Sequence, residues 1–250
     1  MSEEAIFLNS GPLLSGERLE AMEDLSEWQS IDAEARQAYD RIKEAFEKHS
    51  TLLAGSPTLD ETRFFMINPT LHALGFTHSV FEPVETVDGR VVRLDYVLFP
   101  NAEGFDEAQH GRGTMGFFRP AISIVKSVAW SQDVDGLPTA PVAEEGESEE
   151  GAEAEAAPAA DPSVGQNLPA AELDAFLRAT GVDFGIVTNG WNWRLYHRGT
   201  SERLDTFFQA DLIAAIKSDF EDFKRFYLLF RKGAFLKGNQ GTSFLDGQLQ

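Results

Sequence analysis

Apolar residues recur at helical spacing through the first third of the chain. "SGERLEAMEDLSEW" and "IDAEARQAYDRIKEAFEKHSTLL" both read as helices, the second carrying Ile31, Ala35, Ala38, Ile42, Phe46 and Leu53 on one face. After a "GSP" break at Pro57, "DETRFFMINPTLHALGF" predicts a third helix with Phe64, Phe65, Ile67, Leu71 and Leu74 on its apolar face. Pro69 has no amide hydrogen to donate, so it predicts a kink there, and Gly75 suits the C-cap.

The period then shortens to two. "SVFEPVETV" reads as a strand, and Pro83 within it points to a sheet edge or a bulge. Asp88–Gly89 predicts a hairpin turn into the strand "RVVRLDYVLF". "NAEGFDEAQHGRGTMG" is polar and rich in glycine and reads as a loop, after which "RPAISIVKSVAW" predicts another strand. Pro169 opens a helix with Leu173, Phe176 and Leu177 buried; "DFGIVTNG" and "WNWRLYH" then form a hairpin across Asn189–Gly190. In the second of these, Trp193, Leu195 and His197 share one face and Asn192, Arg194 and Tyr196 the other. "ERLDTFFQADL" predicts one more strand, and "LIAAIKSDFEDFKRFYLLFRKGAF" one or two aromatic-rich helices.

The order of these elements predicts an α/β (α+β) domain with one mixed central sheet flanked by helices. Residues 1–55 are expected to form an N-terminal helical extension and residues 56–130 with 168–232 the core. Residues 233–250 read as a tail leading to a further domain. Between the two core segments, residues 131–167 hold 10 acidic residues, no basic ones and no aromatic ones. Such a stretch cannot bury enough apolar surface to order itself, so it is expected to be an acidic, disordered insertion.

Charge narrows the function. The net charge is -20, with 14 arginines but only 7 lysines. An acidic, lysine-poor surface suits solubility at high salt and points to a halophilic source; the alternative is a mesophilic protein with an acidic insert. No basic run is present to neutralise phosphates, which argues against strong, non-specific DNA binding by this chain alone. The absence of cysteine excludes disulfides and thiolate metal sites. No long apolar run and no signal-peptide layout are seen, so a cytoplasmic setting without membrane insertion is expected.

One strand carries an anomaly. Lys126 interrupts the apolar run "AISIVKSVAW", 31 residues after Asp95 in "RLDYVLFP". Metal-dependent phosphodiester cleavage uses carboxylates on adjacent strands to hold Mg²⁺ and a lysine to orient water or stabilise charge. Asp95 and Lys126 match two of those parts. The competing reading is structural, with Asp95 paired to Arg90 or Arg93 and Lys126 in an ion pair of its own. Arg112, Arg119, Trp191 and Arg194 are the candidate DNA contacts, as cations or stacking rings.

Taken in order, "INPTLHALGF", "RLDYVLFP", "AISIVKSVAW", "GVDFGIVTNGWNWRLYH" and "FKRFYLLFRKGAF…SFLD" resemble the N-terminal nuclease domain of bifunctional type IIG restriction-modification enzymes. The resemblance spans roughly residues 6–130 and 167–246. It implies a restriction endonuclease-like, PD-(D/E)xK fold, a DNA-linked role in restriction-modification or phage defence, and a methyltransferase or specificity domain or subunit as partner.

The departures from that family are as informative. Its "hhhExKxW" pattern, aligned on Trp130, puts its acid at Lys126 and its lysine at Val128; aligned on the lysine, the acid falls at Ile124. A family glutamate before the "ALGF" helix falls near Leu59, beside Asp60 and Glu61, and "PxxQhxxYL" appears as "PAAELDAFL", with Glu172 for Gln. The expectation is a degenerate site in a non-catalytic structural or interaction module, with DNA contact weak or indirect. In it the Lys126 ammonium approaches Asp95, where the cation once stood. The alternative is an active Mg²⁺-dependent endonuclease with a migrated carboxylate, using Asp95 as metal ligand, Lys126, and Asp60 or Glu61.

Overall fold

The computed structural model describes residues 5–77, 79–85, 91–135 and 168–250. In chain order the elements are β1 (Phe7–Ser10), α1 (Gly16–Glu20), α2 (Ser26–Ser30), α3 (Asp32–Ala54), α4 (Leu59–Thr62) and α5 (Asn68–Ala73). Then follow β2 (Ser79–Glu85), β3 (Val91–Leu98), α6 (Ala102–His110), β4 (Ser123–Ser127) and α7 (Pro169–Thr180). The chain continues through β5 (Phe184–Thr188), β6 (Asn192–His197), β7 (Phe207–Asp211), α8 (Leu212–Lys217), α9 (Phe220–Phe230) and α10 (Lys232–Phe235).

The strands form one seven-stranded mixed sheet in the order β1-β7-β6-β5-β4-β3-β2. All neighbours are antiparallel except β4 and β5, which run parallel with Lys126 opposite Val187. A parallel pair needs a crossover, and α7 lies in it. Strand alternation splits the core into two layers. Tyr96, Leu98, Val125, Ile186 and Leu195 join a cluster with α3, α5 and α9. Val97, Phe99, Ile124, Val187 and Tyr196 join Leu173, Phe176 and Leu177 of α7 in another. The mixed α/β sheet between helical layers is the architecture predicted.

Several local expectations changed. The polar segment after β3 is not a plain loop. The Asn101 side chain caps α6 by accepting from the Gly104 amide at 2.8 Å, and Ala108 is buried, so a capped helical turn outweighed the glycine content. The N-terminal segment is more than a helical extension, because Phe7–Ser10 pairs with β7 and closes one sheet edge. The C-terminal residues fold back onto it: Leu14 bridges Leu249, the Ser15 amide donates to the Gln248 carbonyl at 2.9 Å, and Leu245 is buried. Pro83 sits in the edge strand β2, whose pairing shifts register between Val80 and Glu82, as its presence predicted. The Asp88–Gly89 turn, and residues 136–167 of the expected acidic insertion, lie outside the described residues; its first five residues are instead packed on the body, with Val134 buried and Asp135 paired to Arg194, because these contacts hold them in place.

The third predicted helix bears directly on the site. It is broken into α4, a π-turn over Arg63–Ile67, and α5. Pro69 leaves the carbonyl one turn back without its usual amide, and the helix widens just before it. Arg63 stands at the start of that widened turn.

Candidate functional site

Asp95 and Lys126 come near each other at the carboxyl end of β4, but neither is the other's nearest charge. Asp95 is buried, and both its oxygens are taken. Arg63 Nη2 donates to Oδ1 at 2.6 Å. Ser127 donates its amide hydrogen to Oδ2 at 2.6 Å and its hydroxyl hydrogen at 3.1 Å. Arg63 Nε also donates to Ser127 Oγ at 2.9 Å, tying the π-turn to the end of β4. Lys126 Nζ stands 4.0 Å from Asp95 Oδ2, at the outer limit of an ion pair.

The closest acid to Lys126 is Glu172 on the first turn of α7, with Oε2 at 2.6 Å from Nζ. The contact is a close charge pair rather than an aligned hydrogen bond, so Glu172 Oε2 keeps no hydrogen-bond partner although buried. Asp60 completes the cluster, accepting from Arg63 Nη1 at 3.1 Å on the exposed side. Charges therefore alternate along Asp60, Arg63, Asp95, Lys126 and Glu172. Each cation lies between two acids, an arrangement that satisfies groups that would be costly to bury alone.

Of the migrated-carboxylate candidates, Asp60 joins the cluster only through Arg63, and Glu61 is not part of it. Glu61 is spent on a capping box at α4: its carboxylate accepts from the Thr58 amide at 2.8 Å, and those Thr58 bonds hold its pKa low. Asp60 is turned to solvent against Arg63. Two members of the cluster, Arg63 and Glu172, escaped the sequence reading as site residues. Glu172 had a signal, as an acid on the first turn of the helix that crosses over from β4 to β5. Arg63 had none, because its partner is 32 residues away on another element.

No protein-family model matches the chain, and no curated protein or solved structure matches it.

A divalent cation does not fit this arrangement. Mg²⁺ and Mn²⁺ sites are built from several oxygen ligands, whereas Asp95 already receives a guanidinium and two further donors. Among the described residues, no three acids or histidines gather where they could hold one ion. Two unit charges 4 Å apart interact by about 4 kcal/mol at the screening usual near a protein surface. Lys126 and Arg63 would each oppose an incoming dication by at least that order.

The expected DNA contacts are scattered. Arg194 is buried, its guanidinium paired with Asp135 and lying 4.2 Å over the Phe207 ring, so it faces the protein. Arg119 is exposed just before β4, at the end opposite Lys126; Arg112 is exposed in the turn after α6 and donates to Gln109 at 3.1 Å. Trp191 is half-buried, and its indole donates to the Trp130 carbonyl at 3.0 Å. The "TNG" motif is structural: the Asn189 side chain accepts from the Asn192 amide at 2.8 Å and donates to the Gln132 carbonyl at 2.8 Å. No helix among the described residues is long and apolar enough to cross a membrane.

Proposed function

We propose that this chain is a restriction endonuclease-like module whose cation site has been taken over by fixed positive side chains. It serves as a non-catalytic, DNA-linked interaction domain of a cytoplasmic restriction-modification or defence protein, beside a methyltransferase or specificity partner. The observation that carries this reading is the coordination of Asp95. Arg63 at 2.6 Å occupies one carboxylate oxygen, and Ser127 with the more distant Lys126 occupies the other. The ordered resemblance of the segments supports the nuclease-like ancestry, and Asp95 and Lys126, from two of them, lie near each other at the end of β4. The net charge of -20 favours docking on a protein partner over gripping DNA.

A second reading keeps the hydrolytic activity and is favoured by Glu172. A carboxylate from α7 beside Lys126 is a physically reasonable replacement for the missing strand acid. Incubating plasmid DNA with the chain and Mn²⁺ at high salt separates the two, with Asp95→Ala alongside. The first reading expects no nicking by either protein. Metal-dependent nicking by the wild type that disappears in Asp95→Ala would overturn it.

A further inference from the structure

One concavity lies away from Asp95. A groove of about 580 Å³ opens between the end of α3, the start of α8 and the loops that leave β4 and β5. Trp130 stands three residues past the end of β4 and Trp191 three residues past the end of β5. These are the two parallel strands. The crevice beyond the carboxyl ends of parallel strands is where open α/β sheets bind ligands, because the connections diverge there and leave a gap.

Three half-buried aromatic side chains line the groove: Phe46, Trp130 and Trp191. Phe46 and Trp130 are near-parallel, with ring centroids 6.4 Å apart and planes at 23°. Trp130 is held in place by its own backbone, whose amide donates to Thr62 Oγ1 at 2.9 Å and whose carbonyl accepts from the Trp191 indole. Flat rings presented this way favour a flat ligand ring, through buried area and offset or edge-on contact. The volume lies in the usual range of small-molecule sites, which are mostly apolar with a few polar groups that fix orientation.

The polar groups on the rim are mostly spent. Asp211 Oδ1 accepts from the Ala214 amide at 2.8 Å as the cap of α8, and the Ser50 hydroxyl donates to the Glu47 carbonyl at 3.0 Å. Lys217 differs. It is exposed, takes part in no ion pair among the described residues, and rests its ammonium 5.6 Å from the centre of the Phe46 ring. A free ammonium over an aromatic wall is the one group there suited to an anion.

We propose that this groove is a binding site for a small planar aromatic anion, its ring against Trp130, Trp191 and Phe46 and its single negative group at Lys217. A polyanion is disfavoured by Asp211 on the same rim and by the charge of the whole chain. The site does not depend on the nuclease-like reading.

Fluorescence titration with 8-anilinonaphthalene-1-sulfonate and its uncharged relative N-phenyl-1-naphthylamine tests it. The wild type should bind the sulfonate more tightly than the neutral probe. Lys217→Gln should weaken the sulfonate about fivefold, as for an exposed ion pair, and leave the neutral probe unchanged. Ala214→Trp, which fills the groove, should abolish binding of both while circular dichroism shows an unchanged fold. Equal affinity of the two probes for the wild type, an unaltered sulfonate affinity in Lys217→Gln, or undiminished binding by Ala214→Trp would each overturn the proposal.

Discussion

Replacing Arg63 with Met keeps much of the side chain's apolar stem and deletes its charge, leaving Asp95 buried without its closest cation. The two side chains are 16% and 9% exposed, so solvent offers little compensation. Breaking a fully buried pair by removing one partner costs about 3–5 kcal/mol. Here Asp95 retains the Ser127 amide and hydroxyl, and Lys126 at 4.0 Å. Those contacts leave Asp95 partly compensated, so the expected loss lies at or just below the low end of that range, about 2–3 kcal/mol.

Asp95→Asn should cost about as much, because one amide face would set an N–H against either Arg63 or the Ser127 amide, donor against donor. The double variant removes the mismatch as well as the bond, so the two losses should fall short of additivity by about 2 kcal/mol. In urea melts each single variant should lower the midpoint by about 1 M. A midpoint within about 0.2 M of wild type for Arg63→Met, or strictly additive single losses, would refute the view that Arg63 fills the cation position.

Other expectations follow from single contacts. Gly190 has φ +94°, and a Cβ there would meet Trp130 Cε3 at 3.2 Å and Met66 Cβ at 3.3 Å, so Gly190→Ala should cost about 2 kcal/mol and perturb tryptophan fluorescence. An unchanged melting curve would show that the turn relaxes freely. Burial holds the His197 pKa below its ordinary 6.5, against the opposing pull of Asp183, and the Gly199 amide donates to its Nδ1 at 3.2 Å, which needs a neutral ring. A depressed folded pKa gives stability that is complete above 6.5 and lost as pH falls through the folded value. Urea midpoints should therefore drop between neutral and mildly acidic pH, and drop less in His197→Gln; equal slopes would remove His197 as the cause. With a net charge of -20, thermal stability should rise from dilute buffer to molar KCl, and a flat response would count against a salt-adapted surface.

The helical and strand periods, the Asn-Gly turn, the edge position of Pro83 and the α7 face were all legible in the order of residues. Each depends on neighbours within a few positions, where backbone geometry alone decides which side chains share a face. The segment now seen as α6 misled because glycine and polar content outweighed a single capping asparagine. Strand β1 was invisible for a different reason: four residues have too little pattern to announce a strand, and its partner β7 lies some two hundred residues away.

By itself the sequence placed an acid and a lysine, Asp95 and Lys126, on two strands and raised the expectation that they approach each other. It also showed that no acid stands two positions before Lys126, where the chain has Ile124. Only the tertiary structure decided which charges answer them. Arg63 reaches Asp95 from a π-turn set up by Pro69, and Glu172 reaches Lys126 from the crossover helix. Arg194, which reads as a surface cation, is withdrawn into a pair with Asp135. The physical reason is common to all three. Local pattern sets the direction in which a side chain leaves its element, but a charge pairs with whatever packing brings within reach, and that is settled only when the layers close.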